Sequence, residues 1–164
     1  MVEIFHETDG NLSFINSKVI SIIGYGNQGR AQALNLRDSG LNVIIGNIED
    51  DYKDFALKDG FNVYNIKKAV SKSDISFILV PDELMETIFR EEISPFLKSS
   101  SAIVFASGYN IGFNLILPPD NVDVLLLAPR MIGVGVRENF LTNHGFFSFL
   151  PLNKISLAMQ EKSY

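Results

Sequence analysis

Residues 18–29 read KVISIIGYGNQG, an apolar β-branched run that passes directly into G-x-G-x-x-G, with Gly24, Gly26 and Gly29 at its three positions. No other stretch restricts the fold as strongly. An unbroken β-branched run makes a strand buried on both faces, as in a parallel sheet. The next segment, NQGRAQALNLRDSG, carries Ala31, Ala33 and Leu34 at helical spacing and ends at Gly40, a C-terminal helix signal. Strand, glycine turn and helix together predict the start of a βαβ unit.

The same alternation continues along the chain. LNVIIG (41–46) is a second strand, DDYKDFALKDG a helix closed by Gly60, FNVYN a weak third strand and IKKAVSKS a short helix. DISFILV (74–80) is a fourth strand, cut off by Pro81, which has no N–H for a ladder. DELMETIFREE predicts an amphipathic helix with Leu84, Ile88 and Phe89 inward. SAIVFAS and VDVLLLA are two more buried strands, HGFFSFLPL a seventh core strand, and NKISLAMQEKSY a short amphipathic helix. Strands alternating with helices predict an α/β, Rossmann-type three-layer fold: a mostly parallel sheet, helices on both faces and right-handed crossovers. One domain is expected to span residues 1–164.

Composition narrows the function. A formal net charge of -5 argues against nucleic acid as a partner, since phosphate binding needs a basic surface. The absence of cysteine excludes disulfides and thiolate chemistry. The start MVEIFHETDG has no apolar signal region, and VLLLA is far too short to span a bilayer. A cytoplasmic location with no membrane contact is the expectation.

In a strand–turn–helix setting each glycine has a task. Gly24 allows the tight turn, Gly26 lets the backbone approach a pyrophosphate, and Gly29 lets the helix pack on the strand. The helix N-terminus then offers free N–H groups and a positive dipole end to the phosphates. A plain structural turn is the competing reading; the correct flanking elements favour dinucleotide binding. The tip of the second strand, GNIEDDYKD, has Asn47, Glu49 and Asp50 and no arginine. Carboxylates there accept hydrogen bonds from ribose hydroxyls and repel a 2′-phosphate, which predicts NADH over NADPH. The same carboxylates would also favour the N-terminus of the next helix.

Several longer motifs now resemble one family. IIGYGNQGRAQALNLRDSG, LVPDELMETIFREEISPFLK, ASGYNIGF, PPDNVDVLLLAPR and GVR are similar, in order and spacing, to ketol-acid reductoisomerase, the acetohydroxyacid isomeroreductase of branched-chain amino-acid synthesis. The resemblance implies an N-terminal NAD(P)-binding domain. Tyr25, Gly26, Asn27 and Gln28 would line the phosphate site; Pro81, Asp82, Glu83, Leu84 and Met85 would flank the cofactor; Gly133 would lie in a loop beyond APR. The family reaction couples a metal-dependent alkyl migration in acids such as 2-acetolactate to reduction by the nicotinamide. The resemblance puts the metal carboxylates on a separate helical C-terminal domain, expected to be absent here. Magnesium would therefore enter only through a second domain or subunit, and a homodimer is implied. Ser107 and Arg130 fall at catalytic positions where the family has histidine and lysine. Val134 replaces a further histidine, Ile48 aligns near the residue that grips a 2′-phosphate, and Arg30 replaces a histidine after Gly29.

Other candidates carry less. His6 and His144 lie at opposite ends of the chain with no partner at metal-ligand spacing. Asp82, Glu83 and Glu86 suit the first turns of a helix, with Glu86 and Arg90 as an i, i+4 pair. Two readings remain: the cofactor-binding part of a ketol-acid reductoisomerase-like oxidoreductase, inactive by itself, or a stand-alone NAD(H)-binding module without chemistry.

Overall fold

The structure, a computed structural model, describes residue 6 and residues 9–150. Six strands form one parallel sheet: β1 (Val19–Ile23), β2 (Asn42–Gly46), β3 (Asn62–Tyr64), β4 (Ile75–Ile78), β5 (Ala102–Phe105) and β6 (Asp123–Leu126). Their order across the sheet is β3-β2-β1-β4-β5-β6. The predicted α/β, Rossmann-type architecture is thus present. Central β1 pairs Ile22 with Ile45 of β2 on one side and with Phe77 of β4 on the other.

Alternate side chains along each strand feed two separate cores. Ile20, Ile22, Val43 and Ile45 meet Ala33 of α1 (Asn27–Asp38) and Ala56 of α2 (Asp51–Lys58) on one face. Ile23, Ile44, Ile78 and Ile103 meet Ala69 of α3 (Ile66–Lys72) and Met85 of α4 (Asp82–Ile88) on the other. A short α5 (Tyr109–Gly112) follows β5, and α6 (Gly133–Leu141) returns to lie along α1. There Asn35 donates to the Val136 carbonyl, and Arg137 donates to Asn35 Oδ1 at 2.8 Å and ion-pairs with Asp38.

Both glycine stops behave as the sequence predicts. At the end of α1, Gly40 N–H bonds the Arg37 carbonyl and Leu41 N–H the Leu36 carbonyl. At the end of α2, Gly60 and Phe61 repeat the pattern on Leu57 and Ala56. These paired bonds satisfy carbonyls that a helix end would otherwise leave orphaned.

Two expectations are corrected. Leu84 is not inward: it is 56% exposed, while Met85, Phe89 and Ile93 are buried. That stripe has four-residue spacing and continues through a π turn at Phe89–Ile93, so Leu84 lies about 100° off it. Nor is HGFFSFLPL a core strand. Among its described residues only Ser148–Phe149 (β8) forms a strand, pairing antiparallel with Ala128–Pro129 (β7) outside the main sheet. Phe147 is 87% exposed. Aromatic content expresses a preference for extended backbone, but it does not determine what covers the rings. The expected helix at 153–164 lies outside the described residues. Among the described residues no helix is long and apolar enough to cross a membrane.

Candidate dinucleotide site

The strand order reverses between β1 and β4, which opens a crevice at their carboxyl ends, where open α/β sheets bind ligands. The glycine turn sits at this point. Gly24 has φ +92°, and its N–H bonds the Gly46 carbonyl at the end of β2. A Cβ there would lie 2.9 Å from the Leu79 carbonyl oxygen, so neither the conformation nor the space accepts a side chain. At Gly29 a Cβ would overlap the Gly24 carbonyl oxygen, because α1 packs onto its own turn. Gly26, by contrast, faces open space.

Gly26 is the N-cap of α1, so no side chain caps the helix, and its first turn carries no acidic residue. The orphan N–H groups and positive dipole end of α1 therefore have no carboxylate of their own. Such a terminus suits a phosphate. Gly133, at the start of α6, approaches so closely that a Cβ would overlap the Asn27 carbonyl oxygen. Gln28 Nε2 donates to the Met131 carbonyl at 2.8 Å, fastening the loop before α6 to the same terminus.

Tyr25 stands between the two turn glycines, yet its ring packs in the core edge-on to Phe61, and the residue is 1% exposed. Its hydroxyl donates to Asp59 Oδ2 at 2.9 Å, and its N–H donates to Asn47 Oδ1 at 3.1 Å. Burial, then the bond to Asp59, pushes the phenol well above its ordinary range. Arg30 grips both oxygens of Asp59, at 2.7 and 3.0 Å. Hydrogen bonds from Arg30, and next from Tyr25, hold the Asp59 carboxyl below the usual carboxylate range.

At the tip of β2, Asn47 is buried, with Nδ2 donating to Asp50 Oδ1 at 2.7 Å and to the Ile48 carbonyl at 3.1 Å. Asp50 is the N-cap of α2, its Oδ1 accepting from Lys53 N–H at 3.1 Å. Glu49 is exposed and holds Lys53 Nζ at 2.6 Å through each oxygen. The helix-capping role foreseen for these carboxylates is realised by Asp50.

Deeper in the crevice, a cavity of about 270 Å³ is lined by Gln28, Val80, Pro81, Asp82, Met85 and Ser107 among others. Ser107 Oγ donates to Asp82 Oδ2 at 3.3 Å. Asn110, which the sequence reading passed over, is 1% exposed and donates to the Asp82 carbonyl at 3.2 Å. Its Oδ1 is buried with no partner among the described residues. The only sequence hint was an asparagine in a short segment just past a glycine, a weak one. Glu83 and Leu84 are exposed on the first turn of α4, whereas Met85 is buried against the core. Glu86 and Arg90 form the expected pair at 3.5 Å.

Arg130 does not join Ser107 in this cavity. Its guanidinium lies 5.6 Å above the centre of the Phe149 ring, and its N–H bonds the Phe147 carbonyl. His6 and His144 are both exposed, the latter 2.9 Å from Thr142 Oγ1. Among the described residues no group of three or more His, Cys, Asp or Glu could hold a metal ion.

Comparison with known proteins agrees with this geometry. Residues 14–159 match the family model described as acetohydroxy acid isomeroreductase, NADPH-binding domain. Ketol-acid reductoisomerase (NADP(+)) of Pyrobaculum arsenaticum is 47% identical over 146 residues, 88% of this chain and 44% of that protein. The enzyme of the same name from Caldivirga maquilingensis is 43% identical over 145 residues, 88% of this chain and 44% of that protein. The solved structure of an NADH-preferring ketol-acid reductoisomerase from an uncultured archean superposes with a TM-score of 0.90 at 39% identity. It covers 93% of this chain, which in turn covers 48% of it. A semialdehyde dehydrogenase NAD-binding protein from Cupriavidus necator shares the fold, with a TM-score of 0.63 at 18% identity over 70% of this chain and 42% of its own. The chain spans less than half the length of the ketol-acid reductoisomerases it matches. Glycine turn, sheet order and motifs all lead to one assignment: the chain belongs to the acetohydroxy acid isomeroreductase family, matching its NADPH-binding domain.

Proposed function

We propose that this chain binds a reduced nicotinamide dinucleotide along the carboxyl edge of its sheet and takes NADH in preference to NADPH. The observation that carries this reading is the bare N-terminus of α1 beside an acidic strand tip. The pyrophosphate would lie against the N–H groups of Gly26, Asn27 and Gln28, with Gly133 closing the far side. The adenosine ribose would meet Asp50 and Glu49, where the nearby cation, Lys53, is already held by Glu49. A 2′-phosphate placed there would face like charge. The nicotinamide would reach the cavity between Pro81, Met85 and Ser107, where Ser107 Oγ is placed to bond its carboxamide. When bound, the cofactor supplies a hydride.

The family activity, alkyl migration and reduction of 2-acetolactate-type acids, belongs to this proposal as well. The described residues bring no three His, Asp or Glu side chains together where a metal ion could be held. A second domain or subunit would have to provide the carboxylates. The position of Arg130 over Phe149 favours a second reading, a module that binds NAD(H) without chemistry.

Calorimetric titration with NADH and NADPH tests the binding. Tighter NADH supports both parts of the reading; equal or reversed affinities overturn the preference; binding of neither overturns the site. Oxidation of NADH by the 164-residue chain with 2-acetolactate and magnesium would overturn the non-catalytic reading.

A further inference from the structure

The phosphate turn and the ribose-facing tip are joined by one side chain. Asn47 Oδ1 accepts the N–H of Tyr25, the residue between Gly24 and Gly26. Asn47 Nδ2 donates to Asp50 Oδ1 with one hydrogen and to the Ile48 carbonyl with the other. Both amide hydrogens and one of the two oxygen lone pairs are thus committed within the protein. The residue is 7% exposed, and its backbone N–H bonds the Tyr64 carbonyl in β3.

The amide orientation has one solution. Tyr25 offers only a donor, while Asp50 and Ile48 offer only acceptors, so the oxygen must face the glycine turn and the nitrogen the tip. Aspartate in this place could not donate to Asp50, and alanine could bond neither. A short side chain that both accepts and donates is required, and asparagine is one.

Resting on the dinucleotide-binding reading, we infer that Asn47 is a positioning residue: it orients Asp50 toward the ribose and fixes the glycine turn under the pyrophosphate, without itself supplying the contact. This differs from direct cofactor contact, the role that its place at the strand tip suggested. Both halves of the site then move as one unit. Loss of the amide would misplace the carboxylate and the turn together, and most of the loss would vanish where Asp50 is already gone.

A double-mutant cycle on NADH binding separates the two roles. NADH is titrated by calorimetry into the wild type, Asn47→Ala, Asp50→Ala and the double variant, each below its melting temperature. Asn47→Ala should weaken NADH about tenfold in the wild-type background, as expected for a lost hydrogen bond to a charged group. In the Asp50→Ala background it should weaken NADH only about threefold or less, the remainder being the share of the Tyr25 bond. Asn47→Leu, which keeps the approximate shape and adds no charge but can bond neither partner, is the second variant should alanine unfold the chain. Its loss should likewise shrink to about threefold or less when Asp50 is absent. Equal factors in both backgrounds, or an unchanged Kd for Asn47→Ala, would overturn the inference while leaving the binding site standing. A wild type that binds no NADH would overturn the site and this inference with it.

Discussion

Helices α1 and α2 begin at the same edge of the sheet, one strand apart, and their N-termini are built in opposite ways. In α2, Asp50 caps the first turn and Asp51 and Asp54 add negative charge to it. In α1, Gly26 provides no cap and no acid follows. Aspartate at an N-cap is worth about a few tenths of a kcal/mol more than glycine, so the end of α1 forgoes a little of the stability that α2 takes. What α1 keeps is an unneutralised cluster of N–H groups at the switch point of the sheet, the property a phosphate needs. One terminus serves the fold and the other serves a ligand.

The largest effect should come from filling the turn itself. Gly29→Ala drives a methyl into the Gly24 carbonyl, against backbone that cannot yield cheaply. Thermal melting should show destabilisation of more than about 2 kcal/mol, with NADH binding lost in the same variant. A variant that kept both would mean that α1 does not need to press on its turn.

Gly26→Asp would make α1 resemble α2. Its φ of -70° and the open space around its Cβ accept a side chain. The new carboxylate should cap the helix, leaving the fold as stable or raising it by up to about 1 kcal/mol, while NADH affinity falls more than about tenfold. Melting and titration moving in opposite directions would sharpen the contrast. A joint fall would break it.

The smallest effect concerns the support behind the turn. Asp59 has a carboxyl held below its ordinary range by Arg30 and Tyr25. A depressed folded value gives stability that is present above the unfolded pKa of about 4 and lost as pH drops through the folded value. Urea midpoints of the wild type should therefore exceed those of Asp59→Asn at pH 7, and the gap should close in strong acid. A gap that widened on acidification would contradict the assigned shift.

Much of this was legible because it was local. The Gly24–Gly29 spacing, the stops at Gly40 and Gly60 and the β-branched runs each act within a few residues, and each appears where the sequence predicted. The failures share another cause. Leu84 and Met85 differ by one position on a helix, and only the direction of the core separates them. The phenylalanines at 147 and 149 carried strand preference but no cover. Distance along the chain also hid detail where no expectation failed: the Tyr25 hydroxyl is held by Asp59, 34 residues away. Ser107 and Arg130 shared a family context, yet only Ser107 lines the cavity.

By itself the sequence determined the βαβ alternation, the glycine cradle and the acidic character of the second strand tip, since spacing and residue type act through neighbouring backbone. Tertiary structure alone decided that Asn47 accepts the N–H of Tyr25, that Asp82 meets Ser107 and Asn110, and that α6 closes against α1. Those contacts join residues whose separation along the chain carries no periodic signal. They exist only because the parallel sheet brings the ends of β1, β2, β4 and β5 to one edge.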